Sequence, residues 1–366
     1  MTDSLCWRIK THLQWTGWLQ YIPNVTAVLL SFLLACLGGL VAGQVLFCPL
    51  ALLSCLLLLI LVFDLCTVKC GLRPWEPSPA RCDDLDAFDL MRKRRSCRSF
   101  QARSLSTADL GELMECVQHE TDPSRLLGSC LIRLDYVAAP LTVWPVVGGH
   151  EFLVAIAPRE YSREAVIDVG RCLQKAVLHA TRMGLATCWI GPGADHESVM
   201  KHLGDRFNPS NDHIICICAV GYTSNYIPAP IRLIQRVQRN RMPLSALFFA
   251  DPRLQEPLAV HLHPWSQYGR CYEVCQWSPS SFNGQPIRCV GTASGKRFDF
   301  YTATQSRFYA PVALGIWLAN WETGCAALGI RGRFQMLTQQ ERAIKEVRWL
   351  SDDSPRYDVS WLADDK

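Results

Sequence analysis

Basic side chains crowd one short stretch of this chain: Arg92, Lys93, Arg94, Arg95 and Arg98, with the run Arg94-Arg95-Ser96-Cys97-Arg98-Ser99-Phe100 standing just before an acidic, amphipathic segment. A guanidinium presents forked donors that can pair with two oxygens of one anion. Such a cluster either stays solvated or meets a polyanion, and a phosphate monoester is the smallest ligand that would hold it. A basic patch drawn to anionic lipid is the alternative. A second group, Pro279-Ser280-Ser281-Phe282-Asn283-Gly284-Gln285-Pro286, offers small hydroxyl and amide donors and acceptors. That set suits the edge of a polar heterocycle, although an ordinary turn uses the same residues. Two more runs could serve the same chemistry. Met183 to Gly191 holds Thr187-Cys188-Trp189-Ile190-Gly191, whose backbone N–H groups could donate to a ligand or whose apolar residues could simply enter a core strand. Arg239-Asn240-Arg241-Met242-Pro243 adds two cations before a proline, either for phosphate or as a solvated loop.

Other chemistries find less support. The net charge of +4 over 366 residues is too small for a nucleic-acid-binding surface, and the basic residues are local. The 18 cysteines are scattered through apolar runs, as at Cys36, Cys55, Cys216 and Cys218. They read as reduced thiols serving as small hydrophobes, not as a disulfide scaffold. Cys271 with Cys275 could share a metal and Cys66 with Cys70 could be acylated, yet neither pair has diagnostic spacing. No histidine cluster with carboxylates is evident, so no metal site is expected.

These residues need elements to position them. From Val25 to Phe63 the chain carries no charge, long enough for two short membrane spans, about 25–42 and 45–63, turning near Gly43 and Gln44. Gly38 and Gly39 offer a competing break. Trp7, Trp15, Trp18 and Tyr21 precede the run as an interfacial aromatic segment, and Lys10, Lys69, Arg73 and Arg81 flank it. Both flanks of a hairpin share one face, which the positive charge assigns to the cytosol. Residues 1–70 thus form an anchor, 71–82 a proline-bearing linker, 83–350 a soluble domain, and 351–366 an acidic, solvated tail. A capped helix is expected over Leu105 to Val117 and a second over Ala165 to Met183. Buried strands are expected at Glu151 to Ala157 and Ile214 to Val220. A looser second half follows, with strands near 287–290 and 297–301 and a helix from Val312 to Leu328. Strands alternating with long helices argue for a mixed α+β sheet sandwich.

The order of the motifs resembles the nitroreductase family of FMN oxidoreductases, and within it the single-chain "putative TM nitroreductase" type, over about Met91 to Phe334. That resemblance implies that Arg94, Arg95 and Ser96 take the FMN phosphate, with Arg239 and Arg241 also reaching it. Arg98 would approach the flavin pyrimidine edge, where a fixed cation stabilises the charge that reduction builds. Cys188, Trp189, Ile190 and Gly191 would border the ring, and Pro279, Ser280, Ser281, Asn283 and Gln285 would supply the loop that crosses to it. Tryptophan usually follows that loop; Ile287 stands there instead. The resemblance implies two pseudo-repeated halves, about 83–250 and 251–345, that mimic the two subunits of a dimer. One FMN site per chain and a chain able to work as a monomer follow. Implied function is NAD(P)H oxidation through FMN to a nitroaromatic, quinone or similar acceptor, with no side-chain catalyst required. A nitroreductase-fold membrane interaction module without that activity is the alternative.

Overall fold

The computed structural model describes residues 21–141, 143, 146–191, 194–227, 232, 240–342 and 355–364. Its α-helices longer than one turn are α1 (Ile22–Ala42), α2 (Gln44–Asp64), α3 (Ala87–Lys93), α4 (Thr107–Glu120), α5 (Arg163–Arg182), α6 (His196–Leu203), α7 (Cys271–Gln276) and α8 (Tyr309–Ala327). The strands are β1 (Arg133–Ala138), β2 (Glu151–Pro158), β3 (Ala186–Ile190), β4 (Asp212–Gly221), β5 (Phe248–Phe249), β6 (Ile287–Gly291), β7 (Arg297–Thr302), β8 (Gly332–Gln335) and β9 (Arg356–Ala363).

Helices α1 and α2 form the expected hairpin. The turn falls at Gly43, whose φ of +61° is a conformation that a side chain resists. Gly38 and Gly39 do not break α1. A Cβ on Gly38 would sit 3.1 Å from the Leu46 Cβ, so the pair lets the two helices approach. Small residues line the seam: Ala35 is fully buried, and Ser54 of α2 donates to the Val28 carbonyl of α1 at 3.2 Å. The leucines and phenylalanines around the outside stay exposed. Both helices are long and apolar enough to cross a bilayer.

The remainder is built twice. The first sheet, ordered β1-β2-β4-β3, is antiparallel throughout, and α5 covers one face. The second, ordered β5-β6-β7-β9-β8, is antiparallel apart from the parallel β5–β6 pair, and α8 covers it through an aromatic core of Phe248, Phe298, Phe300, Trp317 and Trp321. The helices α5 and α8 pack on each other at two glycines. A Cβ at Gly170 would lie 2.3 Å from the Val312 carbonyl oxygen, and one at Gly315 only 2.0 Å from that of Ile167. Buried polar contacts complete the joint: Arg171 donates to Glu322 and Gln174 to Asn320 at 3.1 Å.

Three expectations change. The acidic tail is not a solvated terminus: Arg356–Ala363 is β9, inserted between β7 and β8, with Val359, Ser360 and Trp361 buried. Val359 and Trp361, two apart, supply the face that enters the second core, outweighing the flanking acids. The boundary between the halves falls before 250, because β5 belongs to the second sheet. The linker 71–82 is no free tether either, since Glu76 and Cys82 are buried against the domain.

Candidate active site

The segment from Ser96 to Gln101 has no regular structure of its own and is threaded between three neighbours. Cys97 donates its N–H to the Thr187 carbonyl at 2.8 Å, fixing Ser96 beside the outer edge of β3. Val147 donates to the Arg98 carbonyl at 2.9 Å and accepts from Phe100 at 3.0 Å. Ser224 donates to the Ser99 carbonyl, and Gln101 to the Tyr222 carbonyl. Gly148 makes room, for a Cβ there would lie 2.4 Å from the Phe100 oxygen, and its φ is +69°.

Upstream of this segment, α3 is capped by Asp86 and delivers Arg94 into the interior. Arg94 is 5 % exposed, and its Nη1 has no hydrogen-bond partner among the described residues. Burial, with Arg95 and Arg241 nearby, pushes its pKa down to about 10. Arg241 is shifted down for the same reasons, burial first and Arg95 second. Among the described residues no carboxylate pairs with either. Keeping Arg94 charged in that place costs on the order of 3 kcal/mol relative to a solvated guanidinium. A buried cation held at that cost would be relieved by an anion.

The second motif meets the first across Trp277. The guanidinium carbons of Arg95 and Arg241 each lie 5.5 Å from its ring centroid. Arg241 also donates to the Asn283 side-chain oxygen. The Asn283 amide donates to the Asn240 carbonyl at 2.6 Å, and Gln285 accepts from the Met242 N–H at 2.9 Å. Asn283 and Gln285 therefore lace the loop to the Asn240–Met242 segment. Ser280 closes the loop by accepting from the Gln285 N–H at 2.9 Å. Phe282, Asn283 and Gln285 all have positive φ, +51°, +56° and +45°, so the loop holds a conformation that its own side chains oppose. Pro279 and Ser280 also line a small cleft with Gln276, Gln285 and Trp317, roomy enough for about one water molecule. A ring system would not fit there.

The run 188–191 divides by face. Cys188 and Ile190 turn into the core of the first sheet, and burial pushes the Cys188 thiol up to about 11. The Cys188 thiol still lies within electrostatic reach of Arg94. The Thr187 carbonyl points away from β4, toward Cys97, so strand alternation points the Trp189 backbone groups outward as well. Gly191, just past the strand, faces the ring of Tyr309 at 3.4 Å from where its Cβ would be. Arg98 lies near enough to the Cys188 thiol to oppose its shift. Ile287 is buried in β6 and presents no wall. Trp277 carries Arg95 and Arg241 and Tyr309 faces Gly191, and sequence spacing gave no signal for either. Arg239 lies outside the described residues.

Two sheets, each backed by a long helix, with the helices packed on each other and the motifs gathered where the halves join, form a nitroreductase-like α+β fold. The chain belongs to the family described as "Putative TM nitroreductase", whose model matches residues 86–325. It is similar to a nitroreductase-annotated crystal structure from Thermotoga maritima, with 15% identity, 80% of this chain and 96% of that chain covered, and a TM-score of 0.46. A nitroreductase with bound FMN from Bacteroides fragilis shares 16% identity over 38% of this chain and 89% of its own, with a TM-score of 0.32. A further one with bound FMN, from Desulfitobacterium hafniense, shares 18% identity over 39% and 93%, also at 0.32. Among curated proteins none matches the chain.

Proposed function

We propose that this chain is a membrane-anchored FMN oxidoreductase that takes electrons from NAD(P)H and passes them to a nitroaromatic, quinone or similar small acceptor. One observation carries the reading: Arg94 is buried, charged and without a carboxylate among the described residues, beside Arg95 and Arg241. A phosphate monoester dianion supplies the counter-charge that Arg94 and Arg241 lack among the described residues. Family membership supports an oxidoreductase, and FMN in the structures from Bacteroides fragilis and Desulfitobacterium hafniense supports that cofactor.

Arg94, Arg95, Ser96 and Arg241 would hold the phosphate, and Arg98, two residues beyond Ser96, the pyrimidine edge. FMN, when bound, supplies the two-electron hydride chemistry. The chain's part is to bind, orient and polarise. Trp189 offers an outward N–H from the edge of β3, the Pro279–Gln285 loop brings the second half over the first, and Arg98 supplies positive charge where reduction adds electrons. In this reading α1 and α2 span the bilayer as a hairpin, with both flanks and the domain in the cytosol.

The test is the visible spectrum of full-length protein purified in detergent. A bound-flavin band that NADPH bleaches without oxygen is the expected result. Protein that takes up no flavin, even after FMN is added, would leave only a membrane interaction module of the same fold.

A further inference from the structure

The stretch between the hairpin and the family-matched region is docked on the site, and two of its ionisable side chains are buried there. Arg73 donates through Nη1 to the Ser224 hydroxyl at 2.7 Å and through Nη2 to the Phe100 carbonyl at 3.2 Å. Glu76 lies 3.7 Å from the Arg73 guanidinium; the two side chains are only 8% and 7% exposed. The Glu76 carboxylate accepts from the Ser224 hydroxyl at 2.9 Å and from the Asn225 N–H at 2.7 Å. One residue further, the Pro77 carbonyl accepts from the Gln101 amide at 3.1 Å. Helix α2 joins the same assembly: the Phe63 ring lies 6.4 Å from that of Tyr226, whose carbonyl accepts from the Ser99 hydroxyl.

Apart from the Arg73–Glu76 pair itself, these contacts end on Ser99–Gln101, which directly follows Arg98, or on Ser224–Tyr226, which bonds to Ser99 through the Ser224 N–H and the Tyr226 carbonyl. A buried ion pair is weak evidence of stability, because desolvation offsets most of its attraction. Its geometry here has a different use: a fork on Arg73 and a two-point acceptor on Glu76 tie three segments at one place. We propose that Arg73 and Glu76 are positioning residues of the active site, fixing the Arg98 segment against the end of the membrane hairpin. The site is then completed by residues that precede the family-matched region, which starts at residue 86. This inference rests on the flavin reading above.

Two substitutions in the full-length protein test it. Glu76→Gln keeps the shape but leaves Arg73 buried without a counter-charge. Arg73→Lys keeps the charge but loses the fork that reaches Ser224 and Phe100 together. Each variant is expected to bind FMN about tenfold more weakly than the unmodified chain. Each should also speed hydrogen exchange at Ser99–Gln101 and make the midpoint potential of bound flavin more negative, as Arg98 drifts from the reduced ring. A merely structural pair would lower the melting temperature and leave the potential alone. If Glu76→Gln fails to fold, Arg73→Lys decides. Variants that fold and match the unmodified chain in affinity, exchange and potential would overturn the positioning role and leave the flavin reading standing. An unmodified chain that takes up no FMN overturns both.

Discussion

Arg94 sets function against stability at a single side chain. Its folded pKa, about 10, lies below its ordinary value, so the penalty is full at every pH below about 10 and is relieved as the pH rises from there toward the ordinary guanidinium range. Neutral pH gives no relief; an anion does. Arg94→Met should therefore raise the melting temperature of FMN-free protein by several degrees while abolishing the stabilisation that added FMN gives the unmodified chain, both read by thermal melts. A drop in the FMN-free melting temperature would count against the unpaired-cation account. Phe282 makes the complementary case, since its side chain is exposed and its φ is +51°. Phe282→Gly is expected to change stability by less than about 1 kcal/mol in urea denaturation, because relief of strain offsets the entropy that glycine adds to the unfolded chain.

Helices were more legible in the sequence than the strands that complete the sheets. Capping at Ser106 and apolar periodicity placed α4, periodicity alone placed α5 within a few residues, and the uncharged run placed the hairpin. Compact apolar runs gave β2 and β4. The missed strands are short or interrupted by charge: β5 has only Phe248 and Phe249, β8 is Gly332–Gln335, β1 carries Arg133 and Asp135, and β9 is flanked by acids that resemble a solvated end. In the site, the four motifs were visible as residue types, but Trp277, Tyr309, Arg73 and Glu76 act through contacts that no local spacing encodes. Removing the β9 anchor by Trp361→Ala should cost about 3–5 kcal/mol, measurable by chemical denaturation, because Trp361 is buried against Phe334 and the second core. The α5–α8 joint is less tolerant still. At Gly315 an added Cβ would meet the backbone of Ile167 and Arg171, with no flexible side chain to yield. Gly315→Ala should lower stability by at least about 3 kcal/mol or prevent accumulation of folded protein; a neutral effect in the same melts would mean that the helices can separate.

At the scale of the whole molecule, the joint between the halves is intramolecular, so mass action does not govern it. The melting temperature should be unchanged across a hundredfold range of protein concentration, on the order of 0.1 to 10 μM in detergent; a steady rise with concentration would show that a second chain is needed. The glycine contact of Gly170 and Gly315 has a genetic consequence as well. In a pair of identical chains every mutation is inherited by both sides of the axis, so a residue that suits one side must be tolerated by the other. Here each side mutates alone. One half keeps Arg94 and Arg241 while the other keeps the strained loop, and neither need carry a spare copy of its neighbour's part. The chain is free to specialise its two halves, as two alleles of one gene could not.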